Sequence, residues 1–265
     1  MNRLKVMGIV NVTPDSFSDG GEFLDPDRAI AHGRRLVEEG ADVLDIGGES
    51  TRPGAGAVSA AEELARVIPV VEGLAGAAPL SIDTTKAAVA EEAIRAGVGM
   101  VNDVTALSGD PGMGALCAES GVDVVLMHML GTPRTMQDDP RYGDVATEVR
   151  DFLLERVGRA TAAGIDPARV WIDPGIGFGK TVEHNLELLR ATAMLADTGL
   201  PVLVGPSRKA FIGKLDRDAP EGERLGGTVA ACLAAMDGGA AMVRVHDVGP
   251  VAQAMRVAGA IRPAD

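Results

Sequence analysis

Polar and charged residues stand at the ends of several short apolar segments of this sequence, and their types indicate the kind of ligand they bind. Asp83, Asn102 and Asp173 each lie at such an end. Two carboxylates and an amide suit a flat heterocycle that carries several N–H groups and a carbonyl. Arg244 and His246 end another segment, and an arginine can bind phosphate through two parallel hydrogen bonds. We therefore predict a ligand with a donor-rich ring at one end and an anion at the other.

Further residues extend the anionic end of this predicted site. Arg52 and Lys209 add positive charge beside Arg244 and His246. Asn11 ends the first apolar segment, and its amide oxygen suits Mg²⁺, which takes few protein ligands besides phosphate oxygens and water. Diphosphate is a good leaving group where cations and a metal ion absorb its developing charge.

No pair of residues indicates a covalent nucleophile. Ser207 has no evident histidine partner in the sequence, and Cys117 is expected in a helix. The segment IDPGIGFGKT (172–181) resembles a phosphate-binding loop, but such a loop needs a glycine where Pro174 stands, and proline has no N–H to offer. We therefore assign the chemistry of this segment to Asp173, and we expect Lys180 to be a solvated loop cation.

Eight apolar segments alternate with segments of helical period and would position these residues. The apolar segments are rich in Val and Ile and are bounded by Gly, Pro or polar residues, as buried parallel strands are. Eight βα units in 265 residues, without a linker, favour one (β/α)₈ TIM barrel over an open doubly wound sheet, as a single domain over residues 1–265. The predicted strands are 4–12, 41–47, 79–83, 100–104, 123–128, 169–173, 201–205 and 240–246. The predicted helices are 27–39, 59–73, 84–95, 144–163, 183–197, 221–237 and 248–260.

The carboxyl ends of barrel strands meet at one mouth, so the polar ends of all eight segments should converge there. Any one of them could cap a helix, but eight together must satisfy each other or a ligand. We expect Trp171 to lie in the core or to face a helix, and His128 to be an inward structural histidine. Asp45 belongs to the barrel interior as much as to the site.

Composition and charge exclude several classes of protein. The net charge is −13, and no run of basic residues extends beyond Arg34 and Arg35, which argues against a nucleic-acid partner. The two cysteines show no metal spacing and form no disulfide framework. No secretion signal and no apolar run of about 20 residues is present, so we expect a cytoplasmic protein without a membrane segment.

The blocks NVTPDSFSDGG (11–21) and DIGGESTRPGA (45–55) resemble the two signatures of the dihydropteroate synthases. Six further blocks follow in family order, and the resemblance covers about residues 6–256: SIDTTK, NDVTAL, LMHMLGTPRTMQ, IDPGIGFGK, GPSRKAFIG and VRVHDV. It implies a TIM-barrel transferase of folate synthesis that joins 4-aminobenzoate to (7,8-dihydropterin-6-yl)methyl diphosphate with Mg²⁺. It also implies a homodimer, a target of sulfonamides, and lids formed by segments 13–21 and 50–58.

The resemblance assigns roles to individual residues. The pterin is expected to contact Asp83, Asn102, Met127, Asp173, Phe178, Gly205 and Lys209. The diphosphate is expected at Asn11, Thr51, Arg244 and His246, with Asn11 also touching Mg²⁺. Phe17, Arg52, Pro53 and Ser207 are expected to frame the aminobenzoate pocket. Catalysis falls to Asp83, Asp173, Lys209 and Arg244, since a dissociative reaction needs stabilisation of a pterin-methyl cation and of the leaving group.

Two other functions remain open from the sequence. A methyltetrahydrofolate-dependent methyltransferase shares the pterin carboxylates and amide, but it does not need the Ser207-x-Lys209 pair or the Arg244-x-His246 pair. A paralogue that binds pterin without turnover would keep the fold. Pro206 departs from the family pattern, because proline lacks an N–H and restricts Gly205, and this puts the aminobenzoate pocket in question.

Overall fold

The computed structural model describes residues 3–13, 25–50, 56 and 58–262, and in these ranges eight strands alternate with helices. The strands are β1 (Lys5–Asn11), β2 (Val43–Gly47), β3 (Leu80–Asp83), β4 (Met100–Asp103), β5 (Asp123–Met127), β6 (Val170–Asp173), β7 (Leu203–Val204) and β8 (Met242–Val245). The helices are α1 (Pro26–Glu39), α2 (Ala60–Leu74), α3 (Ala87–Arg95), α4 (Met113–Ser120), α5 (Val145–Ala162), α6 (Val182–Arg190), α7 (Thr192–Ala196), α8 (Ala210–Leu215), α9 (Leu225–Asp237) and α10 (Val248–Ile261).

The strands form one parallel sheet that closes into a barrel. Their order is β6-β5-β4-β3-β2-β1-β8-β7, so neighbours in sequence are neighbours in space. A parallel bridge between Ile172 and Val202 joins the two ends of this order. The predicted TIM barrel is confirmed. Within the described residues, no helix combines the length and apolar character needed to cross a lipid bilayer.

Local capping sets the helix boundaries where the sequence predicted them. The side chain of Asp25 accepts a hydrogen bond from the N–H of Asp27, and α1 ends at Gly40, whose φ is 110°. Ser59 caps α2 in the same way by accepting from the N–H of Glu62. Helices commonly begin where a side chain accepts a hydrogen bond from one of their first N–H groups, and they commonly end just before a glycine.

Several elements differ from the sequence prediction, and the range of α4 was not among the predicted helices, although Cys117 within it was expected in a helix. The predicted helix 183–197 is two helices, because the hydroxyl of Thr192 bonds to the carbonyl of Leu189 at 2.9 Å and competes with the helical pattern. Strand β7 has only two residues, since prolines at 201 and 206 flank it and cannot donate to a ladder. Helix α8 was not predicted, and its six residues make it too short for a periodic signal.

Alternation along the strands separates an apolar floor from a polar mouth. Seven residues fill the lower barrel interior: Met7, Val43, Met100, Val125, Trp171, Leu203 and Met242. Two positions further along their strands, Asn102, Asp173 and Arg244 face the same interior nearer the mouth. Strand residues alternate between faces, so a side chain two positions on returns to the same side. The prediction that Trp171 lies in the core is confirmed.

The loops that follow β5 and β6 touch through their backbones. A Cβ added to Gly175 would lie 1.9 Å from the carbonyl oxygen of His128, and one added to Gly179 would lie 2.7 Å from the Cβ of Leu130. Gly175 also has a φ of +66°, which favours glycine. These glycines therefore allow two strand-end loops to pack closely beside the mouth of the barrel.

Replacement of Gly175 by alanine is expected to reduce the free energy of unfolding by about 3 kcal/mol or more, because backbone strain and a backbone clash add. The control is Gly121→Ala, since Gly121 has a φ of +63° and open space where the Cβ would lie. In that control the free energy of unfolding should fall by only about 1–2 kcal/mol, which is the cost of the left-handed backbone conformation. Urea unfolding measures both values. Equal losses in the two variants would show that the contact with His128 carries no penalty.

Candidate active site

A cavity of about 610 Å³ opens at the carboxyl ends of the strands. Its size falls within the usual range for small-molecule sites. Residues from β1, β3, β4, β5, β6 and β8 and from the segments after β2, β6 and β7 line it. The predicted site residues among them are Asn11, Asp83, Asn102, Met127, Asp173, Phe178, Gly205, Ser207, Lys209, Arg244 and His246. The convergence of polar strand ends on one mouth therefore holds for these residues.

Four predicted residues lie outside the described part of the chain: Phe17, Thr51, Arg52 and Pro53. Most of the two segments predicted to act as lids lies outside it as well.

Arg244 lies between two carboxylates inside the barrel. Its Nε donates to Asp45 at 2.6 Å, and a terminal nitrogen donates to Asp83 at 2.8 Å. Asp45 is fully buried, and the same oxygen accepts from the amide of Asn102 at 3.0 Å. Burial would lower the pKa of Arg244, but the two carboxylates outweigh it and raise that pKa. The guanidinium is therefore held in place, and it orients the amide of Asn102 through Asp45.

Two carboxylates share this one cation, and the pKa of Asp83 reflects it. Burial, together with the negative charge of Asp45, raises the pKa of Asp83 to about 7 against the opposing effect of Arg244. Asp83 pairs in register with Asn102 on the neighbouring strand. The two side chains therefore present a carboxyl and an amide next to each other at the mouth.

Asp173 ends β6 and is 5% exposed. Its Oδ1 accepts from the N–H of Gly175 at 2.7 Å, which ties the carboxylate to the glycine-rich loop. Burial raises the pKa of Asp173 to about 6, although that hydrogen bond and the charge of Lys209 oppose the rise. A carboxyl with a pKa near 6 can exchange a proton near neutral pH when a ligand with N–H groups binds.

The ammonium of Lys209 lies over the ring of Phe178, with 3.9 Å between Nζ and the ring centroid. Such a cation–π contact is favourable and fixes the two side chains relative to each other. A Cβ on Gly177 would lie 2.8 Å from Cδ of Lys209, so the loop that carries Phe178 also needs a glycine here. Lys209 and Phe178 thus form one wall of the cavity.

Ser207 does have a histidine partner, which corrects the sequence analysis. Its Oγ lies 3.0 Å from Nδ1 of His246 and accepts from the backbone N–H of His246 at 3.1 Å. Burial, together with the positive charges of Arg244 and Arg208, lowers the pKa of His246 to about 3. The ring is therefore neutral at pH 7 and is a hydrogen-bonding group rather than a source of positive charge. So weak a base does not activate Ser207 as a nucleophile.

The prediction that Lys180 is a solvated loop cation is wrong. Lys180 is 3% exposed, and its Nζ donates to Nδ1 of His128 at 3.0 Å and to the carbonyl oxygen of Phe178 at 2.9 Å. Burial lowers the pKa of Lys180 to about 7 against the opposing effect of Asp173. The close packing of the two glycine-containing loops encloses the side chain, which a sequence pattern does not reveal. His128 is 6% exposed and is structural, as predicted, but its ring packs against Phe152 of α5 and does not face the barrel interior.

Some polar strand ends serve the fold instead of the cavity. Asp103 is fully buried and accepts from the N–H groups of Thr105 and Leu107, which shapes the turn after β4. Asp247 binds the guanidinium of Arg208 through both carboxylate oxygens, at 2.6 and 2.9 Å. These bonds account for polar residues that the sequence could not separate from ligand contacts.

Glu49 lies at the mouth and was not assigned a role from the sequence. It forms an ion pair with Lys86 and accepts from the backbone N–H of Val58 at 3.0 Å. Lys86 also binds the buried carboxylate of Glu63 at 2.6 Å. Glu49 therefore anchors the chain on either side of residues 51–57. Glu49 directly follows Gly47 and Gly48 at the end of β2, and this position in the sequence could have indicated its role.

Asn11 is the candidate metal ligand. Among the described residues, no three His, Cys, Asp or Glu side chains lie together so as to hold a metal ion. Asn11 lines the cavity at the end of β1 and brings an amide oxygen. A Mg²⁺ ion bound mainly by substrate phosphates and water needs only one or two protein ligands. The residues present therefore fit a metal that arrives with a diphosphate, and they do not form a cage.

The chain is similar to known proteins along almost all of its length. The pterin binding enzyme family matches residues 7–246. The dihydropteroate synthase of Synechocystis sp. is 49% identical over 262 residues, covering 98% of this chain and 90% of that protein. The dihydropteroate synthase of Escherichia coli (strain K12) is 47% identical over 254 residues, covering 95% of this chain and 89% of that protein.

Solved structures agree with this similarity. The dihydropteroate synthase of Xanthomonas albilineans with 4-aminobenzoic acid is 52% identical, with a TM-score of 0.94 over 100% of this chain and 95% of that one. Its complex with 7,8-dihydropteroate is 49% identical, with a TM-score of 0.91 over the same shares. The Yersinia pestis dihydropteroate synthase with a sulfonamide drug complex is 46% identical, with a TM-score of 0.94 over 99% of this chain and 95% of that one.

The family match covers residues 7–246, and these relatives share about half of their residues with this chain over nearly its whole length. This protein therefore belongs to the pterin-binding enzymes, among the dihydropteroate synthases.

Proposed function

We propose that this chain joins (7,8-dihydropterin-6-yl)methyl diphosphate to 4-aminobenzoate and releases 7,8-dihydropteroate and diphosphate. One observation carries the proposal. The cavity at the strand ends places buried hydrogen-bonding groups for a heterocycle beside cations for an anion. Related enzymes of the same fold have been solved with 4-aminobenzoic acid and with 7,8-dihydropteroate. The dihydropterin ring and the carboxylate of those two ligands suit the two kinds of groups in this cavity.

The buried polar wall is the proposed pterin site. Asp83, Asn102 and Asp173 accept from the ring N–H groups, and the Asn102 amide keeps its orientation through Asp45. Lys209 donates to the ring carbonyl. Phe178 and Met127 pack against the ring, and Gly205 leaves room for it because it has no side chain. A heterocycle with its polar edge matched in this way leaves no buried donor unpaired.

The proposed diphosphate site lies nearer to β1 and β8. Asn11, Thr51, Arg244 and His246 surround the leaving group, with His246 as a neutral donor. We propose Asn11 as the protein ligand of a Mg²⁺ ion that, when bound, neutralises charge on the diphosphate. Phe17, Arg52, Pro53 and Ser207 frame the proposed aminobenzoate pocket, which is also where sulfonamides would compete.

The proposed reaction is dissociative. The bond between the pterin methylene and the diphosphate oxygen breaks first, and its electron pair leaves with the oxygen. The cation that forms is delocalised over the dihydropterin ring, where the carboxylates of Asp83 and Asp173 stabilise it. The amine of 4-aminobenzoate then attacks the methylene carbon and loses a proton. Arg244 stabilises the departing diphosphate, and Lys209 holds the ring in place during the step.

The same proposal includes a homodimer in the cytoplasm, which the family resemblance supports. Within the described ranges, the residues assigned to the site all line the cavity of one chain.

An assay of diphosphate release tests the function directly. The purified chain should release diphosphate only when the pterin diphosphate, 4-aminobenzoate and Mg²⁺ are all present, and dihydropteroate should appear in equal amount. Release that continues without the amine would identify a hydrolase. No release under any condition, with the pterin still bound, would identify a binding protein without turnover.

Substitution of Asp173 by asparagine is expected to reduce kcat/KM for the pterin diphosphate by about a hundredfold, because a charge-assisted acceptor and a stabiliser of the cation are lost. Steady-state kinetics on the purified variant measures this. Asp123→Asn is the matched control, since Asp123 begins β5 at the opposite end of the barrel and pairs with Arg169. Wild-type kinetics in the Asp173 variant would remove this residue from the site.

The affinity for a pterin should rise with pH until the carboxyls of Asp173 and Asp83 are ionised. The pKa of Asp173, about 6 in the free protein, means that binding to ring N–H groups must expel a proton at lower pH. Between about pH 5 and pH 6, affinity should therefore rise by about tenfold or more. Asp83, with a pKa of about 7, should extend the rise to about pH 8, above which the affinity should level off. Calorimetric titration with 6-hydroxymethylpterin measures this, and Asp173→Asn is the control that should lose the contribution of Asp173 while it keeps that of Asp83. A flat profile in the unchanged protein would contradict the prediction.

A further inference from the structure

Lys180 is a buried lysine whose donors are all matched by protein acceptors. Besides Nδ1 of His128 and the carbonyl oxygen of Phe178, its Nζ lies 3.4 Å from the carbonyl oxygen of His128. An ammonium carries three donors, and three acceptors surround this one. Burial, together with the charge of Lys180, lowers the pKa of His128 to about 3. The ring is therefore neutral and free to accept a hydrogen bond at Nδ1. The side chain is therefore held in one position.

These acceptors belong to two different loops. His128 follows β5, and Phe178 lies in the loop after β6. Other contacts join the same loops: the hydroxyl of Tyr142 donates to the carbonyl oxygen of Gly179 at 2.8 Å, and the amide of Gln137 donates to that of Gly177 at 2.8 Å. Lys180 is the ionisable member of this set, and it is itself one of the residues that line the cavity.

The loop that Lys180 holds carries two groups of the proposed pterin site. Asp173 begins it and is bonded to the N–H of Gly175. Phe178 lies further along it, and its ring lies below the ammonium of Lys209. A hydrogen bond to the carbonyl oxygen of Phe178 fixes the backbone from which that ring projects. Movement of this peptide would therefore move both Phe178 and the contact with Lys209.

We propose that Lys180 is a positioning residue for the pterin half of the site. It fixes the loop of Asp173 and Phe178 against the end of β5 through main-chain carbonyl groups and the His128 ring. Its charge also favours the ionised form of the nearby Asp173. Within the described ranges, its hydrogen-bonding contacts reach His128 and Phe178 and do not involve Ser207. This inference rests on the proposed function for the identity of the ligand.

The inference predicts a selective effect on one substrate. Lys180→Met removes the donors and keeps an unbranched side chain that is shorter by one atom. The KM for the pterin diphosphate and the dissociation constant for 6-hydroxymethylpterin should rise by about tenfold or more, the equivalent of one lost charge-assisted hydrogen bond. The KM for 4-aminobenzoate should stay within about twofold, because the hydrogen bonds of Lys180 do not involve Ser207. Lys180→Gln, which restores an amide donor, should recover part of the pterin affinity. It also serves as the test should the Met variant not fold.

Two further variants separate positioning from general stability. Lys5→Met is the matched control, because Lys5 begins β1 at the opposite end of the barrel and lies over Trp171. Phe178→Ala, alone and combined with Lys180→Met, forms a double-mutant cycle on pterin affinity. If Lys180 acts through Phe178, the combined loss should be clearly smaller than the product of the two single losses.

The possible outcomes are distinct. An unchanged pterin affinity in Lys180→Met, or an equal loss for both substrates, would overturn the inference, as would independent effects in the cycle. If the unchanged protein binds pterin but has no turnover, the proposed reaction fails while the calorimetric comparison still tests Lys180. If the unchanged protein binds no pterin, the proposed function itself fails.

Discussion

The ion pair of Arg244 with Asp45 and Asp83 is the interaction on which the rest of the site depends. A guanidinium inside a barrel is costly unless its donors meet acceptors, and here two carboxylates supply them at 2.6 and 2.8 Å. Asp45 also holds Asn102, so one buried cluster orders groups from β2, β3, β4 and β8. The apolar floor directly below it excludes water and strengthens these contacts.

A second constraint acts at the other side of the mouth, where loops replace strands. The glycines after β6 let two backbones approach within a distance that any side chain would prevent. That approach encloses Lys180 and lowers its pKa through burial. The loop sequence resembles a phosphate-binding loop, yet its glycines serve contact between protein segments. The polar groups of the site are thus held in position by an ion pair at one side and by closely packed loop backbones at the other.

Much of the barrel could be predicted because its signals are local. The apolar segments place every strand within a few residues, and capping residues such as Asp25 and Ser59 place helix starts. The break at Thr192 could not be predicted, because a hydroxyl that competes with the helix looks like any other in the sequence. In the site, the predicted convergence holds for the residues that the structure describes. The burial of Lys180 and the hydrogen bond between Ser207 and His246 were missed.

By itself the sequence determined the order of the strands, the polar character of their carboxyl ends and the family. These follow from the two-residue period of strands and from motifs that are contiguous in the chain. Only the tertiary structure decided which donor meets which acceptor. Arg244 and Asp45 are 199 positions apart, and Lys180 and His128 are 52 apart. Burial, pKa and pairing depend on distances across the closed barrel, and no local pattern contains those distances.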